Sequence, residues 1–458
     1  MRTDTQRAAK YDAKTIPASV AAIVAAVLPG MRLNFRDPFG SMDLVEKEQQ
    51  TQGLLNAAGT PTIQYPLYLD FVRLIWRMSN AGIAGPALAT VAAGIMKSWQ
   101  ARGLSLSTLQ TLALNTANTW PPAASFAVGA SPLPVCFNPT RNKMYVGNFG
   151  SGTVTIIDTT TALPISTVTV GTGPAFLTYN STNDKIYCVN MTTNNVSVIS
   201  GSTNLVTATI AVGLGPAAAC YNSTNNKVYV ANAGFTTVTV IDGATNAVLA
   251  TVAAGTAPSD LVWNPTDNKV YAANFGSNDV TIIDGPTNAV LATPGVGTQP
   301  YAVCFNLTND KVYTANAGSA NVSVINGATN AVDATVVAGV APYDLVWNPT
   351  SNKVYCVNSG ANTVTIIAGA TNAVLATTTV GAFPSIIAVN AAESKVYVCN
   401  TGATTVSIIS GATNAVIATV TTGTAPSWAE TDTANNKVYI TNMTSGTVSI
   451  IDGKYNKL

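Results

Sequence analysis

Residues 252–293 read VAAGTAPSDLVWNPTDNKVYAANFGSNDVTIIDGPTNAVLAT. Four short apolar runs, at 259–263, 269–273, 280–283 and 289–293, alternate with clusters of Asn, Asp, Gly and Pro. β-branched residues fill the runs and turn formers fill the gaps, the pattern of a four-stranded antiparallel sheet. No run carries the 3.6-residue period of a helix.

The same unit recurs along the chain. The tripeptide K-x-Y opens at Lys143, Lys185, Lys227, Lys269, Lys311, Lys353, Lys395 and Lys437, always 42 residues apart. An asparagine follows each lysine by five, from Asn148 to Asn442. A period of this size signals a solenoid, propeller or array. A lone four-stranded sheet leaves both faces wet, so its neighbours must cover them, which predicts radial stacking into a β-propeller. The first strand supports this. Six residues before the lysine its side chains are mostly large (Phe137, Tyr179, Tyr221, Trp263, Phe305, Trp347). Seven before, they are mostly small (Cys136, Thr178, Cys220, Val262, Cys304, Val346, Ala388). Large against small lets adjacent blades interdigitate. The last unit ends after its third strand, at Ile451-Asp452, while a spare strand at 124–128 precedes the first unit. That strand is expected to complete the last blade, closing a ring of eight and protecting its edges.

The motifs K-V-Y-V-A-N (residues 227–232), T-V-T-V-I-D-G-A-T-N-A-V (237–248) and G-T-A-P-S-D-L-V-W-N-P (255–265) resemble YVTN-type β-propeller repeats. The resemblance covers about residues 123–458. It implies the propeller fold and surface-layer, adhesion-like or other extracellular roles, few with an assigned activity. Fold alone does not fix function.

Residues 1–122 differ in composition, with 11 basic and 7 acidic side chains against 11 and 14 in the remainder. Capping residues, Pro and Gly predict helices at 41–56, 65–80, 86–102 and 104–116, before Trp120-Pro121-Pro122. The expected fold class is therefore mainly β: an eight-bladed propeller over 123–458, preceded by a small α-helical docking or anchor domain over 1–122. No cleavable signal peptide is expected, because Asp4 and Asp12 lead the apolar run 16–28 and no A-x-A-like site closes it. The apolar stretch 81–96 is too short to span a bilayer.

Composition excludes several functions. Only 9% of the 458 residues are charged and the net charge is +1, which leaves no basic face for nucleic acid. There is no histidine, which removes His-based triads and His-ligated metal or haem. The six cysteines never fall two to a blade and form no C-x-x-C, so neither disulfides nor a thiolate metal site is expected. They read as small buried hydrophobes. The K-x-Y lysines are expected to lay their stems on apolar surface and keep their ammonium groups in water.

Three acids break their columns. Nine residues before the lysine, Asp260 and Asp344 replace Pro134, Phe176, Ala218, Ala302, Ile386 or Trp428. Seven before, Glu430 replaces small residues. Asp260, Asp344, Trp428 and Glu430 are thus candidate binding residues at a channel mouth, with no catalytic residue, metal ligand or cofactor assigned. The expected function is a non-catalytic structural and interaction protein, not an enzyme: a virion, phage or cell-surface component. Residues 1–122 would dock it to other subunits, and the propeller loops would meet host glycan or protein. One alternative is a secreted or surface-layer adhesion or carbohydrate-binding module. Another is a calcium-dependent propeller hydrolase resembling lactonases, with carboxylate oxygens as ligands.

Overall fold

The computed structural model describes residues 124–453. The helical domain expected over 1–122 lies outside the described residues, as do 454–458. The described chain forms eight four-stranded antiparallel sheets. Blade 1 runs from the axis outward as Pro132–Asn138, Lys143–Asn148, Thr153–Asp158 and Leu163–Thr169. Blade 4 repeats it as Pro258–Asn264, Lys269–Asn274, Asp279–Asp284 and Val290–Ala292. Its outer strand is shorter than expected because Pro294 follows, and proline cannot donate to the ladder.

Blade 8 has the order Pro426–Asp432, Lys437–Asn442, Thr447–Asp452, then Ala124–Ala127 from the start of the described chain. Phe126 stands opposite Val448, and Val128 N–H donates to Gly446 O at 2.9 Å. Consecutive inner strands touch all the way round, including those of blades 8 and 1. The eight-bladed ring is therefore closed by a shared blade.

The core lies between blades. Tyr229, Val238 and Val240 of blade 3 pack with Leu261, Val270 and Ile283 of blade 4. Cys304 of blade 5 meets Leu345 and Trp347 of blade 6 in the same way. Small residues of one inner strand receive large residues of the next. All six cysteines are free thiols.

Most blades hold four left-handed residues, as Ala257, Asn268, Asn278 and Asn288 do in blade 4, and asparagine dominates two of these columns. Asn246, Asn288, Asn330, Asn372 and Asn414 sit at φ between 61° and 66° in the turn before the outer strand. Asn226, Asn268, Asn352 and Asn436 do so just before the lysine. Asparagine tolerates this region better than other side chains, which explains the Thr-Asn and Asn-Lys pairs of the repeat.

The K-x-Y lysines depart from expectation. Lys227 Nζ donates to Gly285 O at 2.7 Å, Pro286 O at 2.9 Å and Asn288 Oδ1 at 2.9 Å, all in the next blade's turn. Lys185 makes the same contacts with Gly243, Ala244 and Asn246. At the closure Lys437 reaches Thr159 O of blade 1 at 3.2 Å. The ammonium is thus used as a clasp between blades. Desolvation in this position pushes the Lys185 and Lys227 pKa down. Tyr187 and Tyr229 donate their hydroxyls to the same glycine carbonyls.

Candidate functional site

Every inner strand begins with a proline and then shifts register. In blade 4 the shift lies between Pro258 and Asp260, in blade 5 between Pro300 and Ala302, in blade 6 between Pro342 and Asp344. Such a bulge re-aims the extra side chain. In blades 5 and 6 the extra residues are Tyr301 and Tyr343. Their rings stack at 4.3 Å between centroids and 28° between planes, and their hydroxyls lie 2.8 Å apart. Phe275 meets Tyr301 edge-on at 6.1 Å.

Asp260 and Asp344 follow these bulges by strand position and share one register level. Each carboxylate spans two blades. Asp260 accepts the N–H of Leu261 at 2.8 Å and of Val303, in blade 5, at 2.9 Å. Asp344 accepts the N–H of Leu345 at 2.8 Å and of Ile387, in blade 7, at 3.0 Å. The inner strand is an edge strand, so Val303 and Ile387 have no neighbouring strand to receive these protons. A neighbouring carboxylate supplies the missing acceptor.

Both groups remain partly reachable by solvent, yet enclosure dominates their titration. Desolvation raises Asp260 to about 6 against the pull of its two N–H donors. It raises Asp344 to about 7, helped by the charge of Asp260. Tyr301 feels both carboxylates, and burial with Tyr343 beside it pushes its hydroxyl pKa up. The two acids and the tyrosine pair thus form one electrostatic unit on blades 4 to 6.

Trp428 and Phe176 occupy the same register level in blades 8 and 2. Their rings meet edge-to-face at 5.5 Å, past blade 1, whose residue at that column is Pro134. Glu430 stands two residues farther along the strand. It accepts the Thr431 N–H at 3.1 Å, and desolvation raises it to about 7. It acts on the Cys136 thiol of blade 1 and not on the Asp260–Asp344 pair.

Of the four residues singled out by sequence, Asp260 and Asp344 are therefore brought together, Trp428 joins an aromatic pair, and Glu430 stands apart. Tyr301 and Tyr343 were not singled out from sequence; their signal was the column ten before the lysine, where two adjacent blades carry Tyr among Ala, Leu and Ser. Phe176 stands in the column of Asp260 and Asp344 itself, as a large apolar member with no mark of a partner. Among the described residues, no group of three or more Cys, Asp or Glu side chains is placed to hold a metal ion. The calcium part of the hydrolase reading therefore finds no ligand set there. Among them, too, no helix is long and apolar enough to cross a membrane.

No family model matches the chain, and no curated protein matches it. Solved structures do. A hydrazine synthase from Kuenenia stuttgartiensis shares 19% identity at a TM-score of 0.53, over 62% of this chain and 96% of that one. The dihydro-heme d1 dehydrogenase NirN shares 12% identity at a TM-score of 0.59, over 77% of this chain and 82% of that one. At such identities the likeness shows the propeller fold. Both are named as enzymes, which runs against the expected non-catalytic virion or phage component, and that expectation is set aside. The expectation failed because it weighed a charge-poor surface and read the channel acids as solvated rim residues. The acids instead hold backbone N–H groups of two blades each, and desolvation shifts them toward neutral pH.

Proposed function

We propose that the chain is an enzyme built on YVTN-type repeats, and that its reaction centre is the channel mouth. The repeat assignment is supported by the K-x-Y clasp, in which Lys and Tyr together grip the Gly-x-x-Asn turn of the following blade. The catalytic reading is carried by one arrangement. Two carboxyls, Asp260 and Asp344, act on Tyr301, which is stacked on Tyr343, and titrate near 6 and 7. Two interacting carboxyls that both titrate near neutrality supply a base and an acid at the same pH.

Hydrolysis of a small ester or lactone suits that pair. Asp260 takes a proton from water as the water oxygen bonds to the acyl carbon. Asp344 gives its proton to the leaving oxygen as the C–O bond breaks. One hydroxyl of the Tyr301–Tyr343 pair, released from its neighbour, would donate to the carbonyl oxygen. The enzyme names of the two similar structures support a catalytic role without naming a substrate.

A panel of lactones and nitrophenyl esters, assayed with and without added calcium, tests this. The expected pH profile is bell-shaped, with limbs near the Asp260 and Asp344 values of about 6 and 7. Asp344→Asn is expected to lower kcat about 10²–10⁴-fold. No turnover across the panel, or a rate indifferent to Asp260→Asn and Asp344→Asn, overturns the reading.

A further inference from the structure

The cations of the described residues gather at one end of the strands, where they stand among acids such as Asp158, Asp242, Asp284 and Asp452, and none stands at the other end. The cations are Arg141 and the eight K-x-Y lysines, and all stand at the end where inner strands finish and second strands begin. Lys143, Lys185, Lys227, Lys269, Lys353 and Lys395 are held there by turn carbonyls of the next blade. The opposite end of the inner strands carries Asp260 and Asp344. At the same register level stand the rings of Phe176 and Trp428, with Tyr301 and Tyr343 one residue earlier in their strands.

We propose that this mouth selects a ligand bearing a positively charged nitrogen, an organic amine or quaternary ammonium. The carboxyl pair supplies the countercharge and the stacked Tyr301–Tyr343 rings beside it supply the faces. The inference rests on the reading of the mouth as the reaction centre and adds the class of substrate. A cation is drawn to aromatic faces by the ring quadrupole, most strongly where both are stripped of water. It also relieves the cost of ionising enclosed carboxyls. An uncharged ligand of the same shape gains neither, and an anion is repelled.

Facing Asp344 are Asp260, Tyr301 and the thiols of Cys304, Cys356 and Cys399. Burial holds those thiols and the Tyr301 hydroxyl in their protonated forms. The two carboxyls are the groups of this set that change charge near neutrality. Cation affinity is therefore expected to rise with pH as they ionise.

Calorimetry on the full chain with choline and with 3,3-dimethyl-1-butanol, its uncharged isostere, tests the inference. Choline is expected to bind at least about tenfold more tightly, increasingly so from about pH 5 to about pH 8. Asp344→Asn should flatten that pH dependence. Tyr343→Leu should weaken choline by about tenfold with a smaller effect on the alcohol; if that variant does not fold, the isosteric Asp344→Asn carries the comparison. Equal affinity for the two compounds, or binding of neither, overturns the inference. Turnover of acetylcholine and of 3,3-dimethylbutyl acetate separates the two proposals. Equal turnover of both esters leaves the hydrolase reading standing and removes the cation preference. Choline preference without turnover of either ester does the reverse.

Discussion

Phe383 illustrates strain at the scale of one residue. It precedes the inner strand of blade 7 at φ 49°, with its ring 62% exposed. Two blades place Gly173 and Gly215 at the equivalent column, where φ is 67° and 57°. A bulky side chain in the left-handed region stores energy that glycine avoids. Phe383→Gly is expected to raise stability by about 0.5–1 kcal/mol, read as a higher urea midpoint with an unchanged slope. The backbone bond from Phe383 N–H to Asn362 Oδ1 at 2.8 Å survives the change. Ala257 and Ala341, at φ 53° in the same column, should respond in the same direction and by less, having only a Cβ to clash.

At the scale of the element, the turn and the strand of the next blade are one unit. The Asp242 carboxylate accepts the N–H of Ala244 at 2.9 Å and of Thr245 at 2.7 Å, shaping the turn from within. Lys185 of the preceding blade closes it from outside. Lys227→Met keeps the stem and removes three donors to the blade 4 turn. It is expected to cost about 1–2 kcal/mol, the scale of unmet carbonyl partners, measurable by urea unfolding. Leu249→Ala, on an exposed position of an outer strand, should move the midpoint by less than about 0.5 kcal/mol. If the two changes cost the same, the clasp contributes nothing beyond ordinary surface packing.

At the scale of the whole molecule, closure and protonation set the stability of the ring. Phe126, from the closing strand, packs on Tyr439 and Val448 of blade 8 and on the blade 1 cluster. Phe126→Ala is expected to cost about 2 kcal/mol, half the range for a fully buried phenylalanine because this ring is half-buried. Asp260, Asp344 and Glu430 titrate in the folded state near 6, 7 and 7, above the ordinary carboxyl range. The folded chain thus binds more protons than the unfolded one between about pH 4 and 7, so stability falls as pH rises through that window. Asp158 and Asp242 are shifted downward by their turn N–H donors and act on the acid side of it. The thermal midpoint should be higher at about pH 5 than at about pH 8, and Glu430→Gln should narrow the gap by stabilising the alkaline side. A midpoint that climbs with pH would show that these acids are not enclosed as described.

The sequence by itself determined the blade, the number of blades and the closing strand. The 42-residue period repeats local information, and alternation, β-branching and left-handed turn residues act within a few residues of one another. It also marked Asp260 and Asp344, because a charge in an apolar column is visible without coordinates. It did not decide what those acids do. Their partners, Val303 and Ile387, belong to the next blade, 43 residues away in sequence. The stacked Tyr301 and Tyr343 are separated by a full repeat, and Phe176 meets Trp428 from blades that are distant in the chain. The lysine clasp was misread for the same reason, since its carbonyl acceptors lie a repeat and more ahead. Desolvation and charge coupling depend on distances across the ring, and only the closed tertiary structure sets them.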